Sequence, residues 1–442
     1  MDKIFGMISL GCDKNRVDGE RLLGEIKAHG CSITDDLSKA QILIVNTCAF
    51  LNAARKEAIE TVLEGNGYRS GALEKIVVSG CLPEKFIGEL FPALTEADVF
   101  LGINDVSELF PALERSYAGE RVNAVGKGTG EAQTRVVTTP HHIKYLKIAE
   151  GCSNHCTYCL IPKIRGKYRS YPLEELLVEA RSLGETEELI LVAQDTSRYG
   201  EDSGENKFVE LLQKLSELDN ICHIRVLYCY PERITEALIA ELRDNPKIVK
   251  YLDIPLQHSE DRLLKLMGRQ GSRAEYLNLF ERLRREIPDI ALRTTFISGF
   301  PSETEEEHAA LMAFLREARL TNCGFFAYSR EPETPAYRMK GQIPAAVKKR
   351  RVKELYRTQE DVSRAFTERF VGKTVKVLCD GIDYERSCFT GRTFFQAPEI
   401  DGAVFFTVAQ AQEGNYYTVR VERTDAYDLY GYAEEEDHES AQ

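Results

Sequence analysis

No stretch of this 442-residue sequence is long and apolar enough to span a bilayer. Its first residues, Met1-Asp2-Lys3-Ile4-Phe5-Gly6, hold too short an apolar run for a secretory leader, and no small-residue cleavage site follows. The expectation is a cytoplasmic protein with no membrane partner. Positive charge is in deficit: 57 Lys and Arg stand against 70 Asp and Glu, for a net charge of −13 and an isoelectric point near 5.3. A chain this acidic is a poor default binder of nucleic acid, although a local basic patch could still serve. Internal repeats, a phosphate-binding glycine loop and a Ser/His/Asp hydrolase constellation are all missing.

What the sequence has is a core and cysteine. Hydrophobic residues make up 43% and charged residues 29%, and the length suits about three domains. Twelve cysteines in a reducing compartment are available as ligands rather than disulfides. Residues 1–118 alternate strand-like and helix-like runs, which predicts a doubly wound parallel sheet. The Gly- and Thr-rich segment 119–137 reads as a linker. Over 138–369, six strand candidates (144–150, 188–195, 224–228, 251–257, 291–299 and 322–328) alternate with helical patterns. That predicts a partial (β/α)6 relative of the TIM barrel, whose site belongs at the C-terminal strand ends. Pro344 starts a long amphipathic helix and Gly372 ends it. Short strands without helices at 374–378, 402–406 and 417–421 predict a small antiparallel β-barrel over 370–436, and 437–442 an acidic, disordered tail.

Two cysteine patterns stand out. Cys152-Ser153-Asn154-His155-Cys156-Thr157-Tyr158-Cys159 places three thiols just after the first strand of the central region. A closed zinc site wants four ligands, whereas three thiolates suit a 4Fe–4S cluster with one open iron. A disulfide or a buried thiol pair is the plainer alternative. Cys12, Cys48 and Cys81 each follow a predicted strand of the N-terminal sheet. Strand ends of a parallel sheet share one edge, so these three could converge into a second open cluster. Singly, each reads as a small buried hydrophobe. Cys31, Cys222, Cys229, Cys323, Cys379 and Cys388 read as packing.

The triplet resembles that of the radical S-adenosylmethionine superfamily. Together with Gly11-Cys12-Asp13-Lys14-Asn15, Asn46-Thr47-Cys48 and Ser79-Gly80-Cys81, it resembles the methylthiotransferase family across nearly the whole chain. The resemblance implies a cluster-binding domain, a radical core and a TRAM-type barrel. It also implies two 4Fe–4S clusters, on Cys152, Cys156 and Cys159 and on Cys12, Cys48 and Cys81, with S-adenosylmethionine as cofactor. The stretches Cys12-Asp13-Lys14-Asn15-Arg16-Val17-Asp18, Asp253-Ile254-Pro255-Leu256-Gln257-His258, Arg293-Thr294-Thr295-Phe296-Ile297 and Ala426-Tyr427-Asp428-Leu429-Tyr430-Gly431 resemble the branch acting on an aspartate of ribosomal small-subunit protein twelve. Ser302 departs from the glycine usual in that family. The implied partners are that basic protein, a reductant such as flavodoxin or ferredoxin, and a sulfur donor. Nucleic acid is not the expected substrate.

Beyond the cluster ligands no catalytic residue is assigned. Tyr158, Gln194, Asp195, Thr196, Gln257 and His258 are candidates for contacting the cofactor, with capping and turn roles as the alternative. Lys163, Arg165, Lys167 and Arg169 form a basic run, read either as a solvated loop or as attraction for an anionic substrate or an acidic electron donor. Two rival functions remain: the same chemistry on isopentenyl-adenosine in tRNA, and an RNA-binding protein with structural clusters. From residue 370 onward six Lys and Arg face fourteen Asp and Glu, which favours a basic protein partner over RNA.

Overall fold

The computed structural model describes residues 3–130 and 134–433. Every residue of the strand Ile42–Thr47 is buried, so this strand must be covered on both faces. It is the third of six parallel strands: β1 Ile4–Ser9, β2 Ser32–Ile33, β3 Ile42–Thr47, β4 Lys75–Gly80, β5 Val99–Phe100 and β6 Val122–Asn123, in the order β2-β1-β3-β4-β5-β6. Helices α1 (Asp13–Ala28) and α4 (Leu109–Tyr117) bury Leu22, Ile26 and Leu113 against Ile42 and Ile44 on one face. Helices α2 (Asn52–Gly65) and α3 (Cys81–Ala93) bury Val62 and Leu90 against Leu43 and Val45 on the other. This is the doubly wound arrangement expected. Described residues of the segment read as a linker pair with both neighbouring regions. Val122 and Asn123 add the edge strand β6, and Arg135 is tied to Glu20 and Glu179.

The central sheet curls in strict sequence order, β14-β13-β12-β11-β10-β7, all parallel. Its strands are β7 Ile143–Lys147, β10 Thr186–Val192, β11 Ile221–Val226, β12 Ile248–Asp253, β13 Ala291–Ser298 and β14 Asn322–Ala327. A short antiparallel pair, β8 Ala149–Glu150 with β9 Arg169–Ser170, follows β7. Helices α5 Ile161–Ile164, α6 Leu173–Ser182, α7 Phe208–Ser216, α8 Glu236–Asp244, α9 Asp261–Met267, α10 Arg273–Glu286 and α11 Glu305–Ala318 complete the region. The outer face of the sheet, Leu189, Leu191, Ile224, Val226 and Leu252, packs on these helices. The inner face, Ile190, Val192, Val249 and Tyr251, meets the C-terminal barrel instead.

Helix α12 (Ala345–Thr367) starts after Pro344 and leads into that barrel. A short 3-10 turn, Glu368–Phe370, precedes Gly372, so the α-helix ends earlier than the glycine suggested. Strands β15 Thr374–Asp383, β16 Cys388–Arg392, β17 Val404–Thr407, β18 Tyr416–Thr424 and β19 Leu429–Ala433 close in the order β15-β16-β17-β19-β18. Four ladders are antiparallel as expected; the β17–β19 ladder is parallel. The chain crosses between β17 and β18 to reach β15, and β19 then returns into the remaining gap. The expected acidic tail at 437–442 lies outside the described residues. No described helix is long and apolar enough to cross a membrane.

Candidate active site

The loop after β7 is held shut by backbone. Gly151 has φ +74, and a Cβ there would lie 2.3 Å from the Lys167 carbonyl oxygen. The absent side chain lets Cys152 N–H donate to Gly166 O at 3.1 Å. Thr157 N–H and its hydroxyl donate to Met267 O and Leu266 O, at 2.9 and 2.8 Å, anchoring the middle of the triplet to α9. Cys152 and Cys156 are buried and Cys159 is half-buried. Each sulfur has a donor aimed at it. Asn154 N–H reaches Cys152 Sγ at 3.4 Å, Ile161 N–H reaches Cys159 Sγ at 3.4 Å, and Arg269 reaches Cys156 Sγ at 3.9 Å. Burial, reinforced by the neighbouring thiol of Cys156, pushes Cys152 up to about 11 and Cys159 higher still.

The second triplet sits where the topology changes direction. In the order β2-β1-β3-β4 the chain reverses between β1 and β3, and ligand crevices open at such a point. Cys12, Cys48 and Cys81 follow the C-terminal ends of β1, β3 and β4, three adjacent strands. Two glycines permit the approach. A Cβ on Gly11 (φ +95) would meet Cys48 Cβ at 2.7 Å, and one on Gly80 (φ +94) would meet Thr47 O at 2.6 Å. Asn46 and Thr47 brace the edge: Asn46 donates to Asn15 O at 2.7 Å and Thr47 to Ser79 O at 2.6 Å. Burial, with added repulsion from Cys12 and Cys48, pushes Cys81 up to about 12 against the pull of Arg165.

One member of the basic run ties the N-terminal sheet to the core, while the other three meet solvent. Lys163, Lys167 and Arg169 are exposed, but Arg165 is buried. Its guanidinium donates to Asp18 and Glu150 at 3.0 Å and to Cys81 Sγ at 3.2 Å. Lys147, wholly buried, completes the network by pairing with Asp18 and Glu150. Neither the solvated-loop reading nor attraction of a partner therefore describes Arg165. A second link also escaped the sequence. Tyr228, at the end of β11 with φ 63, donates to Asp13 at 3.0 Å, and Lys14 Nζ lies 3.3 Å from its ring centroid. The position after a barrel strand was the signal that could have found it.

The remaining candidates divide. Asp195 is buried, accepts from Asn154 at 2.9 Å and pairs with Arg233 at 3.4 Å, which ties the end of β10 to the triplet loop. Gln194 Oε1 and Thr196 Oγ1 are buried without a hydrogen bond among the described residues. Tyr158 lies beside Cys156, Arg269 and Tyr230 and is kept protonated by burial. Gln257 takes φ 75 and its backbone bridges to β13. His258 is fully buried and pushed down to about 3 by burial, while its Nδ1 accepts from Glu260 N–H at 3.1 Å. That is the turn role weighed for it.

The donor sets fit iron–sulfur clusters. All twelve cysteines are free thiols. Ligands of one tetrahedral zinc, at a Zn–S distance of 2.3 Å, lie about 3.8 Å apart. Each triplet offers three thiolates, one short of the four a closed structural zinc site takes. Cys81 is buried, Cys48 half-buried and Cys12 exposed, so the second set opens toward solvent, and the N–H···S donors at the first set are what cluster sulfurs accept.

The sequence matches the Radical SAM superfamily over residues 146–315, an uncharacterized protein family, UPF0004, over 4–102 and the TRAM domain over 371–433. It is 45% identical over 440 residues to the ribosomal protein uS12 methylthiotransferase RimO of Lachnoclostridium phytofermentans, covering 98% of this chain and 100% of that one. The protein of the same name from Geobacter sulfurreducens is 42% identical, covering 96% and 97%. Among solved structures, the radical S-adenosylmethionine methyltransferase TsrM of Kitasatospora setae aligns with a TM-score of 0.54 at 14% identity, over 76% of this chain and 74% of that chain. At that identity the likeness concerns the fold.

Proposed function

The chain belongs to the ribosomal protein uS12 methylthiotransferase family of radical S-adenosylmethionine enzymes, and we propose that it converts an aspartate of uS12 to its 3-methylthio form. The observation that carries the reading is the placement of two cysteine triplets, each at C-terminal strand ends of a parallel sheet, in two regions that the buried Arg165 joins through Asp18, Glu150 and Cys81. On this reading residues 1–118 form the cluster-binding domain, 119–137 the connection, 138–369 the radical core and 370–436 the TRAM domain.

A β C–H bond of aspartate is not acidic enough for a side-chain base, so acid–base chemistry cannot start the reaction. Membership implies S-adenosylmethionine and a 4Fe–4S cluster. Cys152, Cys156 and Cys159 would hold that cluster. Cluster and S-adenosylmethionine bound there would supply the one-electron chemistry that removes hydrogen from an unactivated carbon. Cys12, Cys48 and Cys81 would hold a second 4Fe–4S cluster, where the chemistry supplied is delivery of methylated sulfur to that carbon. The chain's own side chains orient the parts. Asp195 fixes the triplet loop through Asn154, and the unpartnered Gln194 Oε1 and Thr196 Oγ1 offer polar contacts to the cofactor. Lys14 and Tyr228 tie the start of α1 to the rim of the core sheet. Electrons come from a flavodoxin- or ferredoxin-like reductant and sulfur from a separate donor, in the cytoplasm where ribosomes are built.

The barrel supports a protein substrate over RNA. Arg392 is buried against Glu188 and Asp380, Arg386 pairs with Asp383, and Lys376 and Arg423 lie over Tyr416 and Tyr430. Cations so engaged serve phosphates poorly, while the surplus of acid suits a basic ribosomal protein. Anaerobic reconstitution tests the site. Two four-iron clusters give about eight irons per chain; a fully folded sample that saturates near four removes the second cluster.

A further inference from the structure

A separate set of donors lies at the opposite end of β7. His141 and His142 immediately precede that strand, and Glu413 sits in the turn before β18. One nitrogen from each imidazole and one carboxylate oxygen all lie within 4.8 Å of one another. His142 Nδ1 is 3.6 Å and His141 Nδ1 4.0 Å from Glu413 Oε1. Tetrahedral zinc with bonds of 2.0–2.2 Å needs donors about 3.4 Å apart, so small side-chain rotations would close the set.

His142 supplies the second observation. It is buried, and its Nδ1 makes no hydrogen bond. Its Nε2 lies 3.0 Å from Asp380 Oδ1, and Asp380 is held in turn by Arg392 at 2.7 Å. A carboxylate on one ring nitrogen fixes the proton there and leaves the other as a lone pair, the arrangement that supports metal-bound histidine. Here Nδ1, the ring nitrogen left without a hydrogen bond, faces the Glu413 carboxylate at 3.6 Å. Gly414 (φ +87) brings the turn in: a Cβ there would lie 2.8 Å from His141 Nε2.

We propose that His141, His142 and Glu413 bind one zinc ion, with a water in the fourth position. Imidazole and carboxylate donors in a compact set suit zinc among the common divalent cations. The ion would clip the entry of the radical core to the barrel. The five residues of β7 hold this site about 17 Å from the start of the cysteine loop, at roughly 3.3 Å per residue. Its role is therefore to fix the barrel's placement, outside the chemistry at the clusters.

The test uses holoenzyme with both cluster sites loaded, so that the cysteines are occupied. Zinc is added under anaerobic conditions, excess is removed, and metal per chain is counted by mass spectrometry. One zinc per chain is expected in the parent. His141→Ala and Glu413→Gln, at exposed and half-buried positions, should bind at least about 10-fold more weakly, with iron content and circular dichroism unchanged. Cobalt(II) in place of zinc should give a difference spectrum, against the same holoenzyme without cobalt, that has no new sulfur-to-cobalt charge transfer. Failure of the parent to retain zinc would overturn the proposal. So would equal retention by both variants, or a new sulfur-to-cobalt band in the difference spectrum.

Discussion

Replacing Arg165 with methionine should separate the two halves of the site energetically. Arg165, Lys147, Asp18 and Glu150 form a buried group of two cations and two carboxylates, neutral as a whole. Methionine fills much of the same volume but leaves one carboxylate without a countercharge. Breaking a buried pair in this way costs roughly 3–5 kcal/mol. Arg165→Lys keeps the charge but cannot reach Asp18, Glu150 and Cys81 Sγ together, and should cost about 1–3 kcal/mol. Adding Glu150→Gln to Arg165→Met restores neutrality and should recover part of the loss. Urea unfolding of the reconstituted protein measures these differences, with midpoints converted through the common slope. A second readout is spectroscopic. The guanidinium beside Cys81 favours the more negative, reduced state of a cluster held there, so its loss should lower that cluster's reduction potential. A cost below about 1 kcal/mol for Arg165→Met, with both reduction potentials unchanged, would refute the bridge.

Replacing Cys152, Cys156 and Cys159 together with alanine should abolish reductive cleavage of S-adenosylmethionine. The same change at Cys12, Cys48 and Cys81 should leave some cleavage and stop sulfur insertion; methylthiolated product from that variant would show that those thiols carry no sulfur. At the barrel interface burial alone would raise Glu188, but Arg225 and Arg392 outweigh it and hold the carboxyl down at about 2. Its stabilisation, roughly 3 kcal/mol, is fully present above the ordinary carboxyl value of about 4.3 and is lost as the pH falls toward 2. Glu188→Gln should therefore be less stable at pH 7 and lack that share of the acid-side slope; parallel curves for the two proteins from neutral to acid would sink the assignment.

The three-sheet architecture was legible because its strands carry period-2 or fully apolar patterns. The strands 42–47 and 75–80 could only be buried on both faces. The cysteine positions were legible for the same reason, since a strand's end fixes where the next residue lies. The short strands escaped. Val122–Asn123 holds two residues inside a Gly- and Thr-rich segment, and its pairing comes from the neighbouring β5 rather than its own pattern. Cys388–Arg392 and Leu429–Ala433 each include a glycine, which hides the strand pattern until the barrel closes. The role of Arg165 was hidden because partners at positions 18, 81 and 150 meet only in three dimensions. Local sequence showed only four cations in seven residues, and exposure is the usual state of such a run.

The substrate tests the account most directly. The reconstituted enzyme is offered uS12 and isopentenyl-adenosine-containing tRNA side by side, with S-adenosylmethionine, a sulfur source and one reductant, and both products are analysed by mass spectrometry. The account predicts a methylthio increment on a single aspartate of uS12 and none on the nucleoside. An increment on the tRNA adenosine, with uS12 unchanged, would contradict it.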